Sequence, residues 1–117
     1  MAAPNIVNVS TIIGKTAVLA VTTTATAIVT NSASSNKVFK INALYVSNID
    51  GVNAADIDVE LRRSSTSYRI ARTVSVPADA TLDVISKSIY LEEGDELRLV
   101  ASANSDLEAV CSYEEIS

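Results

Sequence analysis

The chain has 117 residues and a mass of 12.3 kDa, carries nine Lys and Arg against fourteen Asp and Glu, and has a net charge of −5 with an isoelectric point near 4.5. Such an acidic balance excludes general binding to a phosphate backbone, which needs a surplus of cations to release counterions. The absence of histidine removes the commonest general base together with the Ser-His-Asp and Cys-His arrangements, and a single cysteine, Cys111, removes both an internal disulfide framework and a thiolate zinc site.

Residues 1–36 form the most unusual stretch. Their one charged side chain is Lys15, and every other charge falls in residues 37–117. This front third is rich in Thr, Ser, Ala, Val and Ile, residues that favour strands. With so little charge, nothing keeps it apart from copies of itself, so it is expected to be covered as an N-terminal arm or edge strand. Strands are expected around Ile6–Ile13, Thr16–Val21 and Ala25–Asn31, joined through Gly14 and Thr22–Thr24, with Ser32–Asn36 as a flexible connection. Its apolar runs, Ile12–Ile13 and Ala17–Val21, are far shorter than the ~18 residues that span a membrane, and they lack the basic start of a secretory leader. The chain therefore reads as soluble and uncleaved, with no membrane partner.

The later two-thirds, residues 37–117, read as the core of a single domain. Val38–Ser47 has little polar face and suits a buried strand, ended by the turn residues Asn48, Asp50, Gly51 and Asn53. Asp56-Ile57-Asp58-Val59-Glu60-Leu61 alternates strictly, placing three carboxylates on one face of a strand and three aliphatics on the other. Tyr68, Ile70, Val74 and Val76 continue the pattern in a second strand beyond a connection at Ser64–Ser67, and pairing would bring Arg69 and Arg72 near those carboxylates. Pro77–Asp79, Glu92–Asp95 and Ala103–Asp106 separate further short strands at Leu82–Ile85, Ile89–Leu91, Leu97–Ala101 and Leu107–Tyr113. Twenty-five Val and Ile against one Phe and four Tyr call for a core of small branched side chains, which prefer sheets. The expected fold is an all-β sandwich of seven to nine short antiparallel strands with Greek-key or jelly-roll connections.

The short motifs have plain readings. Gly14-Lys15-Thr16 resembles the end of a phosphate-binding loop, but Val9 stands where that loop needs glycine. Asp56-x-Asp58-x-Glu60 has calcium-loop spacing without the glycine, and its alternation is that of a solvated strand face. Asn8-Val9-Ser10 is a glycosylation triplet of the kind that arises by chance. Tyr45, Tyr68, Tyr90 and Tyr113, spread over separate strands, suit structural places near the ends of the core. Cys111, between Val110 and Ser112, reads as a buried strand residue. No residue set calls for a catalytic role, a metal or a cofactor, and the chain is expected not to be an enzyme.

A wider cadence emerges from Val38–Gly51, with Leu44-Tyr45-Val46-Ser47-Asn48, then Val74-Ser75-Val76-Pro77-Ala78-Asp79-Ala80-Thr81-Leu82, then Ile89-Tyr90-Leu91-Glu92-Glu93-Gly94-Asp95-Glu96-Leu97, Ala101-Ser102-Ala103 and Ser112-Tyr113-Glu114-Glu115-Ile116. Over residues 37–117 this order and spacing resembles a family of small virion accessory proteins of tailed bacteriophages, including cyanophages. The resemblance implies a structural protein of the virion, assembled in the host cytoplasm, and an oligomer. Joined to the uncharged front third, it leads to the expectation of a capsid decoration, or cement, protein: a homo-oligomer, expected as a trimer, seated on the major capsid protein. Ile6, Val7, Val9, Ile12 and Ile13 would lie at the contact, with Leu19, Val21, Ile28 and Val29 close to it. Alternatives are a tail, neck, collar, baseplate or fibre-base component, and a host-surface binding module that uses the Asn48–Asn53 and Ala103–Asp106 turns.

Overall fold

The computed structural model describes residues 4–117, so the first three residues of the front segment lie outside the described residues. The described residues form nine strands: β1 (Ile12–Val21), β2 (Thr26–Thr30), β3 (Val38–Asn48), β4 (Ala55–Arg63), β5 (Thr66–Val76), β6 (Thr81–Asp83), β7 (Ile89–Leu91), β8 (Glu96–Ala101) and β9 (Leu107–Ile116). They make two antiparallel sheets packed face to face, a β-sandwich. One sheet has the order β1-β9-β3-β6, with β7 also on β3, and the other has the order β2-β8-β4-β5. Every connection except β4–β5 and β6–β7 passes from one sheet to the other.

Alternation decides which side chains meet between the sheets. In one layer Cys111 and Ala109 of β9 lie opposite Leu44 and Val46 of β3, with Leu107 and Ile41 on the same inner face. Ile57 and Val59 of β4 with Leu97, Leu99 and Ala101 of β8 form the other. All of these are buried, and Phe39 packs its ring on Tyr113 at a centroid distance of 5.6 Å. The branched aliphatic core expected from composition is therefore the core observed.

Several local expectations change. Asn5 closes a turn instead of opening a strand: its Oδ1 accepts from Val7 N–H at 3.0 Å and its carbonyl accepts from Asn8 N–H at 2.9 Å. The first strand consequently starts at Ile12. Gly14 does not break it, because β9 offers a continuous ladder and β1 pairs from Ile12↔Ile116 to Val21↔Leu107 without a register shift. Ser32–Asn36 is tied down, with Ser34 and Asn36 at positive φ and Asn36 N–H donating to Glu93 Oε2 at 3.1 Å. Tyr45, Tyr68 and Tyr90 are exposed on the outer faces, and Tyr113 alone of the four packs against the core. The β4–β5 connection narrows to Ser64-Ser65, both at positive φ, as a two-residue primed turn requires. In the Glu92–Asp95 turn Gly94 has φ +88°, a conformation that other side chains rarely adopt.

Two buried asparagines stitch the layers at opposite ends of β3. Asn31 donates through Nδ2 to the carbonyls of Lys37 and Leu91 at 2.9 and 3.0 Å, and its Oδ1 accepts from Ser35 Oγ. Asn48 donates to the carbonyls of Asn53 and Val76 at 2.9 and 3.0 Å and accepts from Asp50 N–H at 2.9 Å. Removing the amide leaves the buried carbonyl of Leu91 or Val76 without a donor, a loss of ~1–3 kcal/mol, and a second, partly buried carbonyl short of one bond. Asn48→Ala is accordingly expected to lower stability by about 3 kcal/mol, read as a shift in the urea midpoint; an unchanged midpoint would show that Asn48 does not hold the sheets.

Candidate assembly surface

The residues expected at a contact divide into two groups. Ile6 and Val7 are exposed before β1, Val9 is half-buried, and Ile12 and Ile13, at 56% and 47% exposure, stand at the start of β1. Leu19 and Ile28 are half-buried and pack against the core. Val21 and Val29, expected close to the contact, are both buried in this chain's own core. The reason is parity, since Val21 pairs with Leu107 and Val29 with Leu97, inward-facing positions, and burying a valine within the chain already contributes ~1.5–3 kcal/mol. The apolar surface left at the front of the chain is therefore Ile6, Val7, Ile12, Ile13 and, on the outer face, Val18, which is 74% exposed.

Val18 begins a row that sequence reasoning missed. Val18 pairs with Val110, and Val110 with Tyr45, so three exposed apolar side chains lie side by side across β1, β9 and β3. Beside them is an open depression of about 270 Å³ lined by Val18, Leu19, Ala20, Glu108, Ala109 and Val110. The signal was present in the two-residue alternation of β9, but which strands flank it follows only from the topology.

Charges gather where they fasten elements. Glu115, nearly buried on β9, accepts from Lys15 Nζ of β1 at 2.7 Å and from Lys37 Nζ ahead of β3 at 3.1 Å. The Lys15 hydrogen bond, with that of Lys37, holds its carboxyl below the usual carboxylate range in spite of burial, and the same bond raises Lys15. Arg63 forks onto buried Asp95, from Nε at 2.8 Å and Nη2 at 2.6 Å, and reaches Glu92 at 2.8 Å. That hydrogen bonding raises the arginine further above its already high value. Of the expected cross-strand pairs, Arg69 meets Glu60 at 3.3 Å. Asp58 instead accepts from Thr73 N–H at 2.6 Å, where Thr73 has φ +53°. Among the described residues no group of three or more His, Cys, Asp or Glu is placed to hold a metal ion.

The two turns considered for surface recognition are neighbours. Ile49 N–H donates to the Asp106 carbonyl at 2.7 Å, and Ile49 and Val52 are exposed. Asp50 accepts from the N–H groups of Val52 and Asn53 at 2.8 and 3.3 Å, which keeps its carboxyl low and the turn rigid.

No family model matches the chain, and no curated protein does. Among solved structures, the chain is similar to a protein of Bacillus endospore appendages, described as a family of disulfide-linked pili, at 13% identity over 92% of this chain and 88% of the other with a TM-score of 0.53. It also aligns with a pentameric capsid protein isolated from metagenomic phage sequences, at 17% identity over 98% of this chain and 64% of the other, with a TM-score of 0.39. The first likeness shows a shared fold.

Glu115 gains its partners only on folding, so its depressed value stabilises the protein above the ordinary carboxylate value of 4.5 and that contribution is lost as pH falls through the lower folded value. Glu115→Gln is expected to cost about 1 kcal/mol at pH 7, and the gap from wild type should close in acid; an equal gap in urea melts at pH 7 and pH 3 would refute this. Burial pushes the Cys111 thiol up to about 11. It should resist Ellman's reagent in the native protein and react on unfolding; rapid native labelling would contradict its placement.

Proposed function

We propose that the protein is a structural component of a bacteriophage virion, acting as a homo-oligomer without enzymatic activity, and that its place is on the capsid as a decoration protein seated on the major capsid protein. The observation that carries the reading is β1: an outer edge ten residues long whose one charge, Lys15, is bound to Glu115, with Ile12, Ile13 and Val18 exposed on it and Ile6 and Val7 exposed beside it. An edge of that kind is stable in solution only when something pairs with it or covers it. The resemblance of residues 37–117 to small accessory proteins of tailed phages supports a virion as the setting. The appendage protein shares the fold, but linkage through disulfides is not open to this chain in the same way, since its one cysteine is buried within β9.

A tail, neck or baseplate position uses the same surface in fewer copies. Host-surface recognition is the second reading, favoured by the joined turns carrying exposed Ile49 and Val52 at one end of the sandwich. Quantitative mass spectrometry of purified virions, calibrated against the major capsid protein, tests the assignment. Copies in proportion to the capsid subunit are expected. A small fraction of that number would move the protein to the tail, neck or baseplate, and absence from the particle would overturn the proposal.

A further inference from the structure

The four flanks of the sandwich are not equally open. The β5 flank is irregular, with register shifts against β4 between Ile57 and Val59 and between Val59 and Glu60, Thr73 at positive φ, and Arg69 and Arg72 along it. The β2 flank has five residues and a shift between Ala27 and Val29. On the far side of β3, β6 and β7 are three residues each, with a gap between them. These are the devices by which edges are kept from pairing: brevity, bulges and charge. β1 is neither short nor bulged, and its one charge, Lys15, is bound to Glu115 of β9. It is regular over its whole length.

The free groups on β1 can be identified. Thr11 and Ser117 exchange both hydrogen bonds, Thr11 N–H to Ser117 O at 3.0 Å and Ser117 N–H to Thr11 O at 2.9 Å. Bonded and non-bonded pairs alternate along an antiparallel ladder, and the register is unbroken from Ile12↔Ile116 onward. Ile13, Lys15, Ala17, Leu19 and Val21 therefore bond to β9, while the N–H and C=O groups of Ile12, Gly14, Thr16, Val18 and Ala20 point outward. None of those five is charged. Lys15, the one cation of the strand, is turned to Glu115.

We infer that β1 pairs antiparallel with β1 of a second copy, about a two-fold axis at Thr16, so that the two five-stranded sheets become continuous. This register uses every outward-facing group: Ile12 lies opposite Ala20 of the other copy, Gly14 opposite Val18, and Thr16 opposite Thr16. Gly14, without a side chain, leaves space beside Val18. Lys15 falls opposite Ala17 and not opposite the other lysine. For two molecules that each carry −5, this edge, whose one charge is already paired with Glu115, is where they approach without setting like charges directly opposite each other. An isologous contact of this kind is self-complementary, and it takes the place of the trimer expected from sequence. The inference rests on reading β1 as an assembly edge and adds the partner and register; it concerns the purified chain, so it can fail while the virion assignment stands, and the converse also holds.

Cysteine cross-linking of the purified full chain under mild oxidation tests the register. Opposed residues of a bonded pair lie about 5.5 Å apart at Cα, within disulfide reach. Thr16→Cys should cross-link alone, whereas Ile12→Cys and Ala20→Cys should cross-link only when mixed, and wild type should not cross-link because Cys111 is buried. Failure of Thr16→Cys to cross-link, or equal cross-linking by Ile12→Cys alone, would overturn the register. Thr16→Lys, at an exposed position that leaves folding intact, sets two cations side by side and should weaken the dimer roughly tenfold or more by sedimentation, with a melting temperature unchanged at dilutions where both proteins are monomeric. A wild-type chain that sediments as a monomer through the high micromolar range, or a Thr16→Lys dimer as tight as wild type, would overturn the pairing itself.

Discussion

Backbone ladders run within a sheet and never between sheets, so the offset of two stacked layers has to be set by side chains. Aliphatic packing alone does this loosely, because valine and isoleucine surfaces slide over one another at little cost. In this protein directional bonds complete the task at both ends of β3. Asn31 joins the end of β2 to the start of β3 and the end of β7, with Gly94 N–H and Asp95 O bonded to its own backbone. Asn48 joins the end of β3 to the end of β5. With β3 fixed at both ends, the position of β9 beside it is fixed as well, and through β9 the position of β1.

That chain of dependence explains why the uncharged front third is ordered without being shielded. β9 lies between β1 and β3 and supplies both registers, and Glu115 near its end draws Lys15 and Lys37 in from either side. Ordering β1 in this way satisfies one side of the strand and leaves the other side complete. The ion pairs are too exposed on the lysine side to contribute much energy. Their value is positional: they keep the only cation of the first 36 residues turned away from the free edge.

The sandwich and most strands could be read in the residues because alternation and turn chemistry agreed. Asp56–Leu61 and Leu97–Ala101 show this best, each with inward aliphatics at every second place. Legibility failed where long-range pairing overrode a local signal. Gly14 looks like punctuation, as Thr22–Thr24 does and is, but the β9 ladder carries β1 through the glycine. Ile6 and Val7 look like strand, but the side chain of Asn5 takes the backbone into a turn. Val21 and Val29 could not be told from Val18 by composition, since whether a valine faces core or solvent depends on the partner strand's parity. The apolar row of Val18, Val110 and Tyr45 is assembled from three distant parts of the chain, and no local pattern announces it.

The pairing of β1 with β9 also orders events in time. Among the described residues β1 is the first of the nine strands and its ladder partner, β9, is the ninth, so during synthesis β1 emerges well before the strand that orders it. Contacts that join such remote positions bear a large loop-closure cost and form slowly. Throughout that interval, Ile12, Ile13 and Val18 belong to a strand with two free sides, the condition under which nascent chains associate wrongly. A late β9 prolongs that exposure, so sequence changes near residues 107–116 bear on solubility as well as on stability.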